Sequence, residues 1–274
     1  MASPVTNAHH PGRWLASLAL LSAAFSFGCK DAAPPAQQEA PTSAATAAPA
    51  KNKIRVATEA AYPPMEFVDP KTGEITGYDI DLMREVAAAA GYEVEFVNAE
   101  WTAIFGLLSN RSVDAIISSV TITEERKKNM SFTDPYYQSS QRVVIRAADK
   151  ATYTGLDKLE GKAVGVQVST TAAEMMKSDW AKIELKSYDN VILGLQDLAN
   201  KRVEAFVVDD PVARYYVAKK LDMGLALVEQ QYTSEQFGIV VHPQDTALRD
   251  RLNAGLKKVK EGDVARRLEE KWFR

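Results

Sequence analysis

Two α/β lobes, each a mostly parallel sheet flanked by helices, are what this sequence predicts, and three observations predict them. From Ile54 onward, short apolar runs of strand length alternate with stretches whose apolar residues recur at helical spacing. The alternation fills about 220 residues in two successive series, enough for two lobes of modest size. The composition, 46% apolar, 25% charged and 8% aromatic, can bury a core, which excludes a disordered or collagen-like chain.

The first series opens with the strand Ile54–Ala57, which Pro63 and Pro64 break. Met65–Val68 reads as a short strand and Asp69–Gly73 as a turn. Asp79 is placed to cap a helix with apolar positions Ile80, Met83, Val86, Ala87 and Ala90, and Gly91 ends it. Tyr92–Val97 alternates as a strand. A short helix follows Trp101, then the strand Val113–Ile117, then Thr121–Glu124 and a charged helical turn. The second series starts near Arg142 with the strand Val143–Ile145. Ala163–Val168 and Val203–Val208 are further strands, and Thr171–Trp180 and Val191–Asn200 are helices. Pro211–Lys220 is a helix with proline near its start, where the missing N–H has no intrahelical partner to lose. A last strand, Phe237–Val241, precedes two helices, the first with Leu248, Leu252, Leu256 and Val259 on one face.

The residues before Ile54 follow other rules. Trp14 to Gly28 carry no charge and follow Arg13. As a helix they span about 22 Å, short of a ~30 Å hydrocarbon core, so residues 1–28 read as a secretory signal rather than a membrane span. The stretch Phe25-Ser-Phe-Gly-Cys29 resembles a bacterial lipobox, in which Cys29 would be lipidated, with a fatty acid such as palmitate, and become the new N-terminus. Ser26 departs from the leucine usual three residues before that cysteine; the alternative is plain cleavage nearby with Cys29 incidental. Residues 29–52 are Ala, Pro, Thr, Ser and Gln with almost nothing large and apolar, the composition of a tether. Cys29 is the sole cysteine, so an intrachain disulfide and a Cys-rich zinc site are excluded. The histidines are His9, His10 and His242, too few and too scattered for a His-based site. The net charge of −3 argues against a nucleic-acid surface. No metal and no cofactor are expected.

In α/β folds ligands bind beyond the carboxyl ends of the strands. Those ends carry Glu59 and Tyr62; Trp101; Ser118, Ser119 and Thr121 with Arg126; Gln167, Ser169, Thr170 and Thr171; and Asp209 with Asp210. No nucleophile–base pair is among them, and neither a phosphate loop nor a Gly-x-Ser-x-Gly elbow occurs. The set suits a zwitterion. Arg126 can grip a carboxylate in a planar fork. Thr170 and Thr171 add donors at a helix start, Asp209 can hold an ammonium, and Tyr62 and Trp101 can enclose a side chain. Each has a bland alternative: Arg126 as a solvated helix charge, Thr170 and Asp209 as helix caps, Tyr62 and Trp101 as packing.

Five strings carry a resemblance. They are Ala61-Tyr-Pro-Pro-Met-Glu-Phe67, Gly77-Tyr-Asp-Ile-Asp-Leu82, Val113 to Arg126, Phe132-Thr-Asp-Pro-Tyr-Tyr137 and Val208-Asp-Asp-Pro211. With them the stretch from Ile54 to Phe273 resembles the amino-acid-binding family of periplasmic solute-binding proteins that serve ABC importers. The resemblance implies a type II periplasmic-binding-protein fold with two crossover hinge strands and a ligand cleft that closes. Lobe one would be residues 53–138 plus 237–274, and lobe two residues 141–236. It puts an aromatic lid on Tyr62, an apolar wall on Trp101, and backbone and hydroxyl contacts on Ser118, Ser119 and Thr121. It puts the carboxylate grip on Arg126, a hydroxyl pair on Thr170 and Thr171, and the amine partner on Asp209. Members often have Asp where this chain has Glu59, and Gly or a longer polar residue where it has Ser169. The partners implied are an amino acid, the permease subunits of an importer and, through the anchor, a membrane; a monomer is expected.

The expected ligand is a polar L-amino acid with a long side chain, arginine first, because Glu59 could neutralise a cation and Gln167 offers an amide. The rival is an enzyme on the same scaffold, resembling cyclohexadienyl dehydratases. It would need a general acid in the cleft and has no strong need for an ammonium partner, so keeping both Arg126 and Asp209 favours a binder.

Overall fold

Residues 52–219 and 223–274 are described in the computed structural model; the signal, the lipidation site at Cys29 and nearly all of the tether predicted from the sequence lie outside them. The chain begins β1 (Asn52–Thr58), β2 (Ala61–Tyr62), β3 (Glu66–Val68), β4 (Ile75–Thr76), α1 (Tyr78–Ala90), β5 (Tyr92–Asn98) and α2 (Trp101–Ser109). It continues β6 (Ala115–Ile116), α3 (Glu124–Lys127), β7 (Ser131–Phe132), β8 (Tyr137–Ser139), β9 (Gln141–Arg146), β10 (Ala163–Gln167), α4 (Thr171–Asp179) and β11 (Glu184–Tyr188). The remainder is α5 (Val191–Ala199), β12 (Ala205–Asp209), α6 (Asp210–Ala218), β13 (Leu225–Leu227), β14 (Glu235–Phe237), β15 (Val240–Val241), α7 (Thr246–Glu261) and α8 (Val264–Phe273).

Two five-stranded sheets organise these elements, in the orders β5-β1-β6-β15-β7 and β11-β10-β12-β9-β13. Each has a parallel core of three strands, β5-β1-β6 and β11-β10-β12, as the strand–helix alternation predicts. Beyond that core the pairing turns antiparallel, at β15 and at β9. The reason is connectivity. The chain crosses between the sheets at β8 and β14, which pair antiparallel, Glu235 opposite Ser139 and Phe237 opposite Tyr137. A strand entering from that crossing runs away from it, whereas β10 and β12 run toward it.

Alternation within the strands puts apolar side chains on both faces of each sheet, so helices cover both. Val56 faces α1 and α7, where Leu82, Met83, Val86, Leu252 and Leu256 are buried, and Ala57 faces α2 with Ile104 and Leu108. In the second sheet Val143, Ile145, Val164 and Val166 meet α4 at Ala173 and Met176, and Phe206 meets α5 at Leu195 and Leu198. Helices α1 and α7 approach so closely that a Cβ on Gly255 would lie 2.3 Å from the Val86 carbonyl oxygen.

Three expectations are corrected. Asp79 does not cap α1: Gly77 is the N-cap, and Asp79, in the first turn, is fully buried and turned into the protein. The stretch Phe237–Val241 is not one strand: Phe237 ends β14 on the crossover and Val240 begins β15 in the first sheet. The strand β11 has no counterpart in the sequence reading, because on this edge strand only Leu185 and Tyr188 offer an apolar signal.

Candidate functional site

The carboxyl ends of β1, β6, β10 and β12 meet where the two sheets face the crossover. One pocket lies there, lined by Glu59, Tyr62, Glu66, Trp101, Ser118, Ser119, Thr121, Arg126, Gln167, Thr170, Thr171 and Asp209. Eleven of the thirteen residues named at the strand ends are thus brought together, Ser169 and Asp210 stay outside the lining, and Glu66 joins it. Each arrives for a local reason. Thr58 and Asn98 end a parallel register, releasing Glu59 at the strand tip and starting α2 at Trp101. Ser119 and Ser169 follow the tips of β6 and β10 with φ of 49° and 59°. Left-handed backbone at a residue with a Cβ costs about 1–2 kcal/mol, so each turn is held by its surroundings. The φ at Ser169 is one that glycine adopts without a Cβ penalty.

Several bland readings fail on geometry. The Arg126 guanidinium is half-buried, 5.5 Å from the Trp101 ring centroid and 5.7 Å from that of Phe105. Its Nη1 donates to the Thr121 carbonyl oxygen at 2.9 Å, and Nη2 reaches the Ser169 carbonyl at 3.5 Å. Asp209 sits at the N-cap of α6 yet makes no capping bond. Its carboxyl oxygens instead accept from Tyr62 OH at 2.6 Å and Gln141 Nε2 at 2.7 Å. Thr170 goes the other way. It does cap α4, accepting from Ala173 N at 3.2 Å while donating to the Gln167 carbonyl at 2.8 Å.

The walls touch across the cleft. Gln167 Nε2 donates to both Glu59 oxygens at 2.9 Å, and Trp101 Nε1 donates to the Ser169 carbonyl at 3.3 Å. Glu235, on the crossover, accepts from Thr121 Oγ1 at 2.8 Å and Thr171 Oγ1 at 3.0 Å, tying both walls to one carboxylate. Acidic groups outnumber basic ones: the lining has Glu59, Glu66 and Asp209 against Arg126. Burial pushes the Glu59 carboxyl up to about 7, against the lowering effect of the Gln167 bond and with a further push from Glu100. Burial also raises Asp209 to about 7, helped by Glu235, while Tyr62, Gln141 and Arg126 act in the opposite sense. Burial lowers Arg126 from its ordinary value, with Glu174, Asp209 and Glu235 opposing.

Sequence reasoning missed Glu66, Asp79, Gln141 and Glu235. Glu66 and Asp79 lie inside two of the strings that carried the resemblance, which was the available signal. Gln141 and Glu235 are 94 residues apart and meet only because the crossover strands pair.

Two lobes with a polar cleft of strand ends between them define a solute-binding protein of the type II periplasmic class. The chain belongs to the bacterial extracellular solute-binding proteins, family 3, whose model matches residues 54–274. It is 32% identical over 229 residues to the ABC transporter arginine-binding protein 1 of Escherichia coli K12, covering 82% of this chain and 93% of that protein. It is 33% identical over 270 residues to a probable histidine-binding protein of Neisseria gonorrhoeae, covering 95% of each. An ancestral arginine-binding protein solved with arginine superimposes with a TM-score of 0.77 at 34% identity, covering 81% of this chain and 99% of that one.

Proposed function

We propose that the protein captures a polar L-amino acid outside the cytoplasm, arginine before lysine, histidine or glutamine, and delivers it to the permease subunits of an ABC importer. Capture occurs between a lobe of residues 53–138 plus 237–274 and a lobe of residues 141–236. The observation that carries this reading is the convergence of Arg126, Asp209 and Glu59 on one pocket. Arg126 binds the ligand carboxylate, with Thr121 and the Ser118–Ser119 turn beside it, and Thr170 and Thr171 complete the grip from the other lobe. Asp209 takes the α-ammonium, exchanging its Tyr62 hydrogen bond for a charged one. Glu59, held by Gln167, neutralises a cationic side chain that lies against Trp101 and Tyr62. A dehydratase would leave the Asp209 side of this arrangement unused, so the protein acts as a binder and not as an enzyme. The domain works as a monomer tethered to the membrane through lipidated Cys29. A thermal-shift screen of the twenty amino acids tests the reading: basic amino acids give the largest rise in Tm. In cells, Cys29→Ser moves the protein from the membrane to the soluble fraction; wild-type protein already soluble would contradict the anchor.

A further inference from the structure

Behind the Ser118–Ser119 turn lie two carboxyl groups for which the binding reading has no use. Glu66 is 1% exposed and Asp79 0%. They flank one hydroxyl: Ser119 Oγ lies 3.5 Å from Glu66 Oε2 and 3.4 Å from Asp79 Oδ2. Every other polar group bonded to them is neutral. Glu66 accepts from Ser118 Oγ at 3.0 Å. Asp79 Oδ2 accepts from Ser119 N at 2.8 Å and from Tyr136 OH at 2.6 Å. Asp79 Oδ1 is buried and has no hydrogen-bond partner. The titratable groups facing the pair are Glu59 from the tip of β1, Tyr62 from β2, Tyr78 from the first turn of α1, Tyr136 from the segment before β8 and Tyr137 at the start of β8. These are acids, and among the described residues no Lys or Arg forms an ion pair with either carboxyl; the ion pairs of this turn of α1 are those of Asp81, with Arg84 and Lys271. Two fully buried carboxyls that share one hydroxyl and have no cation cannot both ionise at neutral pH.

We propose that Glu66 and Asp79 share one proton at neutral pH, and that this O–H···O bond is the brace that positions the Ser118–Ser119 turn on the cleft wall. The neutral Glu66 donates to Asp79; the ionised Asp79 holds the Ser119 N–H and so maintains the left-handed backbone there. Ser118, oriented by its bond to Glu66, accepts the Glu59 N–H at 3.0 Å and fixes the tip of β1. Both act as positioning residues. Their role in affinity rests on the reading of the cleft as the amino-acid site; the shared proton does not.

Infrared spectroscopy of the purified protein at about pH 8.5 decides the proton, since carboxyls near 7 are largely ionised there. Wild type retains the C=O band of a protonated carboxyl, and Glu66→Gln removes it. Absence of the band from wild type overturns the proposal, and this arm holds even if every variant fails to fold. The brace is tested by rescue, with arginine as the probe. Glu66→Ala weakens binding roughly tenfold or more, because Ser118 and Asp79 each lose a partner. Glu66→Gln recovers it, because an amide donates to Asp79 and accepts from Ser118 as the acid does. A Gln variant as weak as the Ala variant, or an Ala variant as tight as wild type, overturns the positioning role. A wild type that binds none of the amino acids overturns that role together with the reading of the cleft, and leaves the infrared result standing.

Discussion

The two walls of the cleft are built differently although they follow one plan. Each has a parallel strand followed within three residues by a serine with positive φ, Ser119 on one wall and Ser169 on the other. On the first wall the turn is held from behind, by the buried carboxyls of Glu66 and Asp79. On the second wall Thr170 closes the following helix locally, and the Ser169 carbonyl faces Trp101 and Arg126 across the cleft. Polar groups of the second wall find their partners on the first: Asp209 on Tyr62, Gln167 on Glu59. The first wall is therefore ordered by its own lobe, whereas Asp209 and Gln167 of the second divide their bonds between their own wall, at Gln141 and the Asp189 carbonyl, and the opposite one. The lesson is that bonds across the cleft complete the second wall.

That asymmetry can be broken in steps. The largest effect is expected on the first wall. Arg126→Ala removes one partner of a desolvated charge pair, which costs about 2–5 kcal/mol, so arginine binding measured by calorimetry falls by a factor of about 30 to several thousand. Asp209→Ala, on the second wall, falls toward the lower end of that range, because burial already holds its carboxyl near 7 and part of its charge is lost before binding. Either variant within about threefold of wild type would remove that residue from the grip.

The next test varies pH. Glu59 and Asp209 are raised to about 7 in the folded protein. Between about pH 4 and that value they hold protons that the unfolded chain has released, so their contribution to stability without ligand falls as pH rises through this window. A cationic ligand requires the ionised forms. Arginine affinity therefore rises with pH up to about 7 and drops about tenfold or more toward pH 5.5, while an affinity flat over that range would contradict ionisation of these carboxyls on binding. The smallest effect falls on Thr170. Its hydroxyl is engaged by Ala173 N and the Gln167 carbonyl, so Thr170→Ala costs about 1 kcal/mol of folding stability, read from the denaturant midpoint, and less affinity than any change above.

The strand ends were legible in the sequence because strand–helix alternation marks them locally, and the chemistry there, Arg126 with Asp209 and a run of hydroxyls, is unusual for loop positions. What was not legible depends on contacts between distant segments. Asp79 reads as a helix cap until the fold turns it inward against Ser119, 40 residues on. Glu66 reads as the polar residue of a short strand until Ser118, 52 residues on, is packed onto it. Glu235 and Gln141 have no local pattern at all; the crossover strands bring them together.

The central claim is that this cleft grips a basic amino acid through Arg126, Asp209 and Glu59, and competition calorimetry of the purified protein against arginine, lysine, glutamine, glutamate and leucine tests it most directly. The account predicts arginine as the tightest ligand, weakened about thirtyfold or more in Arg126→Ala and in Asp209→Ala. Glutamate or leucine binding tighter than arginine, or arginine binding undiminished in both variants, would contradict it.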